Sequence, residues 1–80
     1  MPRFYLHIRD GGRLIADPDG SDLPDLDAAR AEALASAREI LAEKVKVGGV
    51  LNGQRIEITD AAGAVLATVP FRDAMRLPRP

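Results

Sequence analysis

Residues 23–47 read LPDLDAARAEALASAREILAEKVKV, and this stretch decides the fold. Asp25 and Asp27 stand just ahead of an alanine-rich run, where carboxylates accept from the unpaired N–H groups of a first helical turn. A helix therefore starts here, with Asp25 as its N-cap and Asp27 favoured by the helix dipole. At about 100° per residue, Leu26, Ala29, Ala33, Leu34, Ala37, Ile40, Leu41 and Val45 form one apolar stripe, with Arg30 and Lys44 inside the same arc. Those two cations reach outward along their stems. Glu32, Ser36, Glu39 and Glu43 make an acidic side, and Gly48-Gly49 supplies the stop. Ala28, Ala31, Ala35 and Ala42 line the opposite face, either as good helix formers facing water or as a smooth surface against which another helix packs.

One helix with one apolar stripe needs a sheet to cover it. Arg3 to Arg9 alternates strictly, placing Phe4, Leu6 and Ile8 on one face and Arg3, Tyr5, His7 and Arg9 on the other. Asp10-Gly11-Gly12 is a hairpin turn, and Arg13 to Asp17 returns antiparallel. An even-length turn puts Ile15 into the core, and a three-residue turn puts in Leu14 and Ala16; we take the even turn. Residues 17–22, DPDGSD, are turn chemistry throughout and lead to the helix. Past the helix, residues 48–53 form a loop whose apolar middle tucks under the helix end. Gln54 to Asp60 is a third strand, with Ile56 and Ile58 inward and Arg55, Glu57 and Thr59 outward. Asp60-Ala61-Ala62-Gly63 fits a type I turn closed by a left-handed glycine. Ala64 to Val69 then folds back with Val65 opposite Ile58, Ala67 opposite Ile56, and Leu66 and Thr68 outward. Phe71 caps the core, residues 72–76 make at most one helical turn, and residues 78–80 fray as a tail.

The order β-β-α-β-β predicts an α+β two-layer domain over residues 1–77, a four-stranded, mainly antiparallel sheet with one long helix on one face. Eighty residues bury only a modest core, so partners that bury more surface help such a chain. Cysteine is absent, which excludes disulfides and thiolate zinc sites. A net charge of −1 gives no electrostatic case for bulk nucleic-acid or anionic-membrane binding. No apolar run approaches membrane-spanning length, and the N-terminus lacks a secretory h-region, so the expectation is a cytoplasmic protein.

Met1 to Asp10, together with Leu23-Pro24-Asp25-Leu26, Ala28-Ala29-Arg30, Ala37-Arg38 and Val69-Pro70-Phe71, resembles a family of short, mostly alphaproteobacterial proteins catalogued as a domain of unknown function. The resemblance covers nearly the whole chain. It implies a small stand-alone bacterial protein and brings no catalytic residue, cofactor or substrate. A second likeness, at fold level only, is to HicB-type antitoxin domains, in which strands pack on an alanine-rich helix after a Leu-Pro lead-in. This chain departs from them in its polar second hairpin and in having no DNA-binding tail after Phe71.

Chemistry-bearing residues are few. His7, the single histidine, projects among Arg3, Tyr5 and Arg9 from an open sheet face, where a general base finds no deep pocket. Asp17, Asp19, Asp22, Asp25 and Asp27 suggest calcium, but the loop pattern fails at its glycine and final glutamate, where Asp22 and Ala28 stand, and turns and capping explain each aspartate. Neither Gly11-Gly12 nor Gly48-Gly49 sits as a phosphate loop does, and nothing places Ser21 or Ser36 near His7. The expectation is a non-enzymatic module without metal or cofactor, binding itself as a homodimer or another protein. Its surface is Arg3, Tyr5, His7, Arg9, Arg55, Glu57 and Leu66 on the open face and Ala28, Ala31 and Ala35 on the helix back. The alternative is an antitoxin-like, nucleic-acid-linked regulator using Arg3, Arg9, Arg55, Arg72, Arg76 and Arg79, against which the acidic balance and lone tyrosine count. Arg30 either hydrogen-bonds to an aspartate or carbonyl of the turn before the helix, or is solvated with its stem over Leu26 and Leu34.

Overall fold

The computed structural model of the protein describes residues 1–46, without the side chains of Lys44 and Val45, and residues 53–74. The expected glycine stop, the loop at 48–52, the turn residues 75–76 and the tail at 78–80 lie outside the described residues. So do the places expected for the Lys44 and Val45 side chains.

The elements are β1 (Arg3–Asp10), β2 (Arg13–Ile15), β3 (Ser21–Asp22), α1 (Leu26–Lys46), β4 (Arg55–Thr59), β5 (Val65–Pro70) and a 3₁₀ turn (Phe71–Ala74). The sheet runs β2-β1-β4-β5, with β3 added to β1, and every pairing is antiparallel. This is the expected α+β domain of one sheet and one helix.

Asp25 caps α1 as the sequence demands. Its Oδ1 accepts from Ala28 N–H at 2.8 Å and its carbonyl from Ala29 N–H at 3.2 Å. The centre of the buried stripe is small: Ala29, Ala33 and Ala37 are fully buried, with Leu41 continuing the row. Leu26, Leu34 and Ile40 flank it, partly buried. Opposite stand Ile56 and Ile58 of β4, the largest of the fully buried side chains, with Val69 and Phe71. Alanines on the helix let its backbone come down onto large side chains rising from the sheet. Phe71 caps the core as expected. Its N–H donates to Gln54 O at 2.9 Å, and Arg38 Nε donates to Ala74 O at 3.2 Å, holding the 3₁₀ turn against the helix.

Several expected details are corrected. The first hairpin has the even turn, with Asp10 paired to Arg13 and Ile8 to Ile15, and Gly11 takes the left-handed conformation at φ 63°. Yet Ile15 is 42% exposed rather than in the core. The helix lies over β4, β5 and the 3₁₀ turn and only partly over β1, so among the described residues β2 is left largely uncovered. The strand expected over residues 13–17 stops at Ile15, and residues 17–22 contain the short strand β3.

The second hairpin keeps the expected left-handed glycine, Gly63 at φ 88°, but its register moves by two residues. Ala67 lies opposite Ile58 and Val69 opposite Ile56. A three-residue turn supplies one step, with Asp60 Oδ1 accepting from Ala62 and Ala64 N–H at 2.9 and 3.0 Å. A bulge between Ile58 and Thr59, which leaves Leu66 unmatched, supplies the other. Two one-residue steps restore parity, so Ala67 and Val69 still face the core, whereas Val65 stands out at 57% exposure.

Arg30 is exposed and, among the described residues, forms no hydrogen bond or ion pair, so the solvated reading holds. Arg3 instead takes the turn: its Nη1 donates to Asp19 O at 2.7 Å, and its Nη2 and Nε meet the two Asp22 oxygens at 3.2 Å.

The helix–sheet fit is testable by volume. Ala33→Leu should lower stability by about 1–3 kcal/mol, because the added methylenes have no space against β4. Ala31→Leu, on the exposed side, should stay within about 0.5 kcal/mol of the parent. Urea midpoints of the two variants measure the difference, and equal midpoints would show that the small-residue stripe is not what seats the helix.

Candidate functional site

The open sheet face is built by alternation. Tyr5, His7 and Arg9 of β1 lie beside Thr59, Glu57 and Arg55 of β4, and Leu14 of β2 pairs with Arg9. Cross-strand neighbours at this spacing interact, and here nearly all are polar. Glu57 sits between two arginines, with Oε1 3.4 Å from Arg9 Nη2 and Oε2 3.5 Å from Arg55 Nε. Arg9 Nε is buried and has no hydrogen-bond partner among the described residues. The three open-face arginines expected to contact a partner are thus engaged with Asp22 or Glu57.

His7 stacks on Tyr5, with ring centroids 6.2 Å apart and planes 14° from parallel. The backbone N–H of Asp17 donates to His7 Nδ1 at 2.9 Å. Nδ1 must therefore hold a lone pair, the ring proton sits on Nε2, and Nε2 donates to Thr59 Oγ1 at 3.2 Å. A histidine that activates a hydroxyl works in the opposite sense, with its proton on Nδ1 and its lone pair on Nε2. Thr59 was expected outward and does lie on the outward face, but it is buried there beneath this network.

Asp17 ties the network to the chain edge. Its Oδ2 accepts from Leu6 N–H at 3.2 Å, and its Oδ1 accepts from Asp19 and Gly20 N–H at 3.3 and 3.1 Å. The first bond explains why β2 stops short, since a side chain takes the N–H that a ladder partner would have taken. The second pair is the local turn that an Asp before Pro-Asp-Gly encodes. Gly20 at φ 70° completes it: a Cβ there would stand 2.9 Å from Tyr5 Cε2 and 3.0 Å from Phe4 O. Burial raises the Asp17 pKa, but the N–H bonds from Gly20, Leu6 and Asp19 outweigh it and hold the carboxyl below its ordinary 3.8.

On the helix side of the sheet, between α1 and β1, runs a groove of about 340 Å³. Its floor is Leu6, Ile8, Ile40 and Ile56, and its walls are Glu32, Ser36 and Glu39 from the helix and Asp17 and Ser21 from the turn. The sequence signal for it was present in the Glu32-Ser36-Glu39 stripe, but its position over β1 was not. On the helix back, Ala31 and Ala35 are exposed while Ala28 is half-buried, which removes Ala28 from the expected smooth surface. Among the described residues no cluster of His, Asp or Glu converges to hold a metal ion. Asp17, Asp22 and Asp25 are instead engaged in the turn, with Arg3 and as the helix cap.

A family model described as a domain of unknown function, DUF6894, matches residues 3–72. The chain belongs to the DUF6894 family. No curated protein and no solved structure matches it significantly. The DUF6894 span takes in the open face, the Asp17 network and the groove, so all three lie within the family domain. Among the described residues no helix of this DUF6894 chain is long and apolar enough to cross a membrane.

The Asp17 network carries a pH signature. Its folded pKa lies below the unfolded value, so its stabilising contribution is complete above 3.8 and disappears as pH falls through the folded value. In urea titrations from about pH 5 down to about pH 2, the stability gap between the parent and Asp17→Asn should narrow. A gap that stays constant over that range would refute the role given to the carboxylate.

Proposed function

We propose that this DUF6894 chain is a non-enzymatic protein–protein interaction module that self-associates through its open sheet face. One observation carries the reading: the large aliphatic side chains left exposed on that face stand at its two margins, around a centre of mutually paired polar groups. Leu14, on edge strand β2, is 45% exposed, and Val65 and Leu66, on edge strand β5, are 57% and 42% exposed. Leu14 shares a cross-strand row with Arg9, Arg55 and Pro70, and Val65 shares one with Tyr5 and Thr59, so the apolar groups occupy diagonally opposite corners.

That diagonal suits an isologous dimer. A two-fold axis lying in the interface between the corners sets Leu14 of one protomer on Val65 and Leu66 of its partner, and the reverse contact follows by symmetry. The engaged arginines support a protein partner over a phosphate backbone, because Arg3, Arg9 and Arg55 already neutralise carboxylates and release fewer counterions on binding nucleic acid. The sense of the His7 hydrogen bonds likewise favours a structural histidine.

Sedimentation equilibrium at micromolar concentration tests the reading. The parent should show a concentration-dependent dimer, and Leu14→Glu with Leu66→Glu should give a folded monomer, since each change places a charge in an apolar contact. A parent that stays monomeric over the whole range would overturn it.

A further inference from the structure

The groove on the helix side is chemically unlike the open face. On the open face Glu57 is flanked by Arg9 and Arg55, and Arg3 holds Asp22. In the groove, Glu32 and Glu39 are exposed and form no ion pair among the described residues, although the chain carries 11 Lys and Arg. They stand with Ser36 at i, i+4 and i+7, so one helical stripe aims both carboxylates over the groove. Asp17 faces them from the opposite wall, and among the described residues no cationic side chain lines the groove.

The floor is apolar and incompletely covered. Leu6, Ile8 and Ile40 are only partly buried, and Ile15, paired to Ile8 on the same sheet face, is 42% exposed. The cause is the off-centre seat of the helix, which lies over β4 and β5 and, among the described residues, leaves the β1–β2 half of the sheet only partly covered.

We infer that this groove is a docking site for a cationic amphipathic segment of a partner protein, its aliphatic side chains on Leu6, Ile8, Ile15 and Ile40 and its lysines or arginines against Glu32, Glu39 and Asp17. Among the described residues Glu32 and Glu39 form no ion pair and the apolar trough beside them is only partly covered, so the complement of the site is apolar in the middle and positive at the rim. The inference deepens the reading of the protein as an interaction module by giving it a second surface and stating the chemistry of what that surface takes.

A labelled peptide alternating leucine and lysine, titrated into the full chain by fluorescence anisotropy, is the probe, with a leucine–glutamate peptide of the same length as its counterpart. The lysine peptide should bind and the glutamate peptide should not. Glu32→Lys with Glu39→Lys should weaken binding by about tenfold or more, and raised salt should weaken it as well. Both glutamates are exposed, so the variant should keep the parent's circular dichroism and urea midpoint. A control with the same charge change outside the groove, Glu43→Lys with Asp73→Lys, should bind the peptide within about twofold of the parent, because a long-range charge effect is screened. Equal loss in both variants, equal binding of both peptides, or no binding at all would overturn the inference. The Leu14→Glu, Leu66→Glu chain separates the two readings. Peptide binding that persists in it while the parent never dimerises removes only the open-face dimer. Dimerisation without peptide binding removes only the groove.

Discussion

Ala29, Ala33 and Ala37 meeting Ile56 and Ile58 fix where the helix sits, and most of the remaining architecture follows from that contact. Small residues on the helix and large ones on the sheet allow close approach only where the large ones stand, which is over β4 and its neighbour β5. The 3₁₀ turn closes the far side of this contact through Phe71 and Ala74. What the helix gains over β4 and β5 it leaves uncovered over β1 and β2. The groove, the exposure of Ile15 and the outward reach of Glu32 and Glu39 are consequences of that off-centre seat rather than separate features.

The other half of the sheet is held by polar groups. β2 is three residues long and β3 two, too short to pin the edge of β1 by ladder bonds alone. Asp17 stands in for the missing rung by accepting from Leu6 N–H, while its own N–H fixes the His7 ring and Arg3 holds the turn through Asp19 and Asp22. One edge of the domain is therefore stabilised by charge and hydrogen bonding, the other by apolar burial. These respond differently to pH and salt, because hydrogen-bonded carboxylates lose their bonds on protonation and aliphatic contacts do not.

Much of this was legible in the residues. Strict alternation from Arg3 to Arg9 and the cap at Asp25 give the first strand and the helix, because period and capping are local and each residue reports its own neighbours. The polar open face followed from the same alternation. The pairing of Arg3 with Asp22 did not, since those residues are distant in sequence and nothing local favours that arginine over Arg30. Nor did the network of Asp17 with Leu6 and His7: Asp-Pro-Asp-Gly announces the turn, but not which strand the turn closes against.

The sequence by itself determined the order of the two hairpins and the helix, the sheet face taken by the residues of β1 and β4, the helix start and the identity of the buried stripe, since all of these rest on backbone periodicity and short-range hydrogen bonding. It did not determine how far the helix reaches across the sheet, where the second hairpin slips by two residues, or which carboxylates find a cation. Those are decided only in three dimensions. Helix position is set by the volumes of side chains brought together from separate strands, register by a three-residue turn and a one-residue bulge whose two steps together keep Ala67 and Val69 facing the core, and ion pairing by which charges the fold happens to juxtapose.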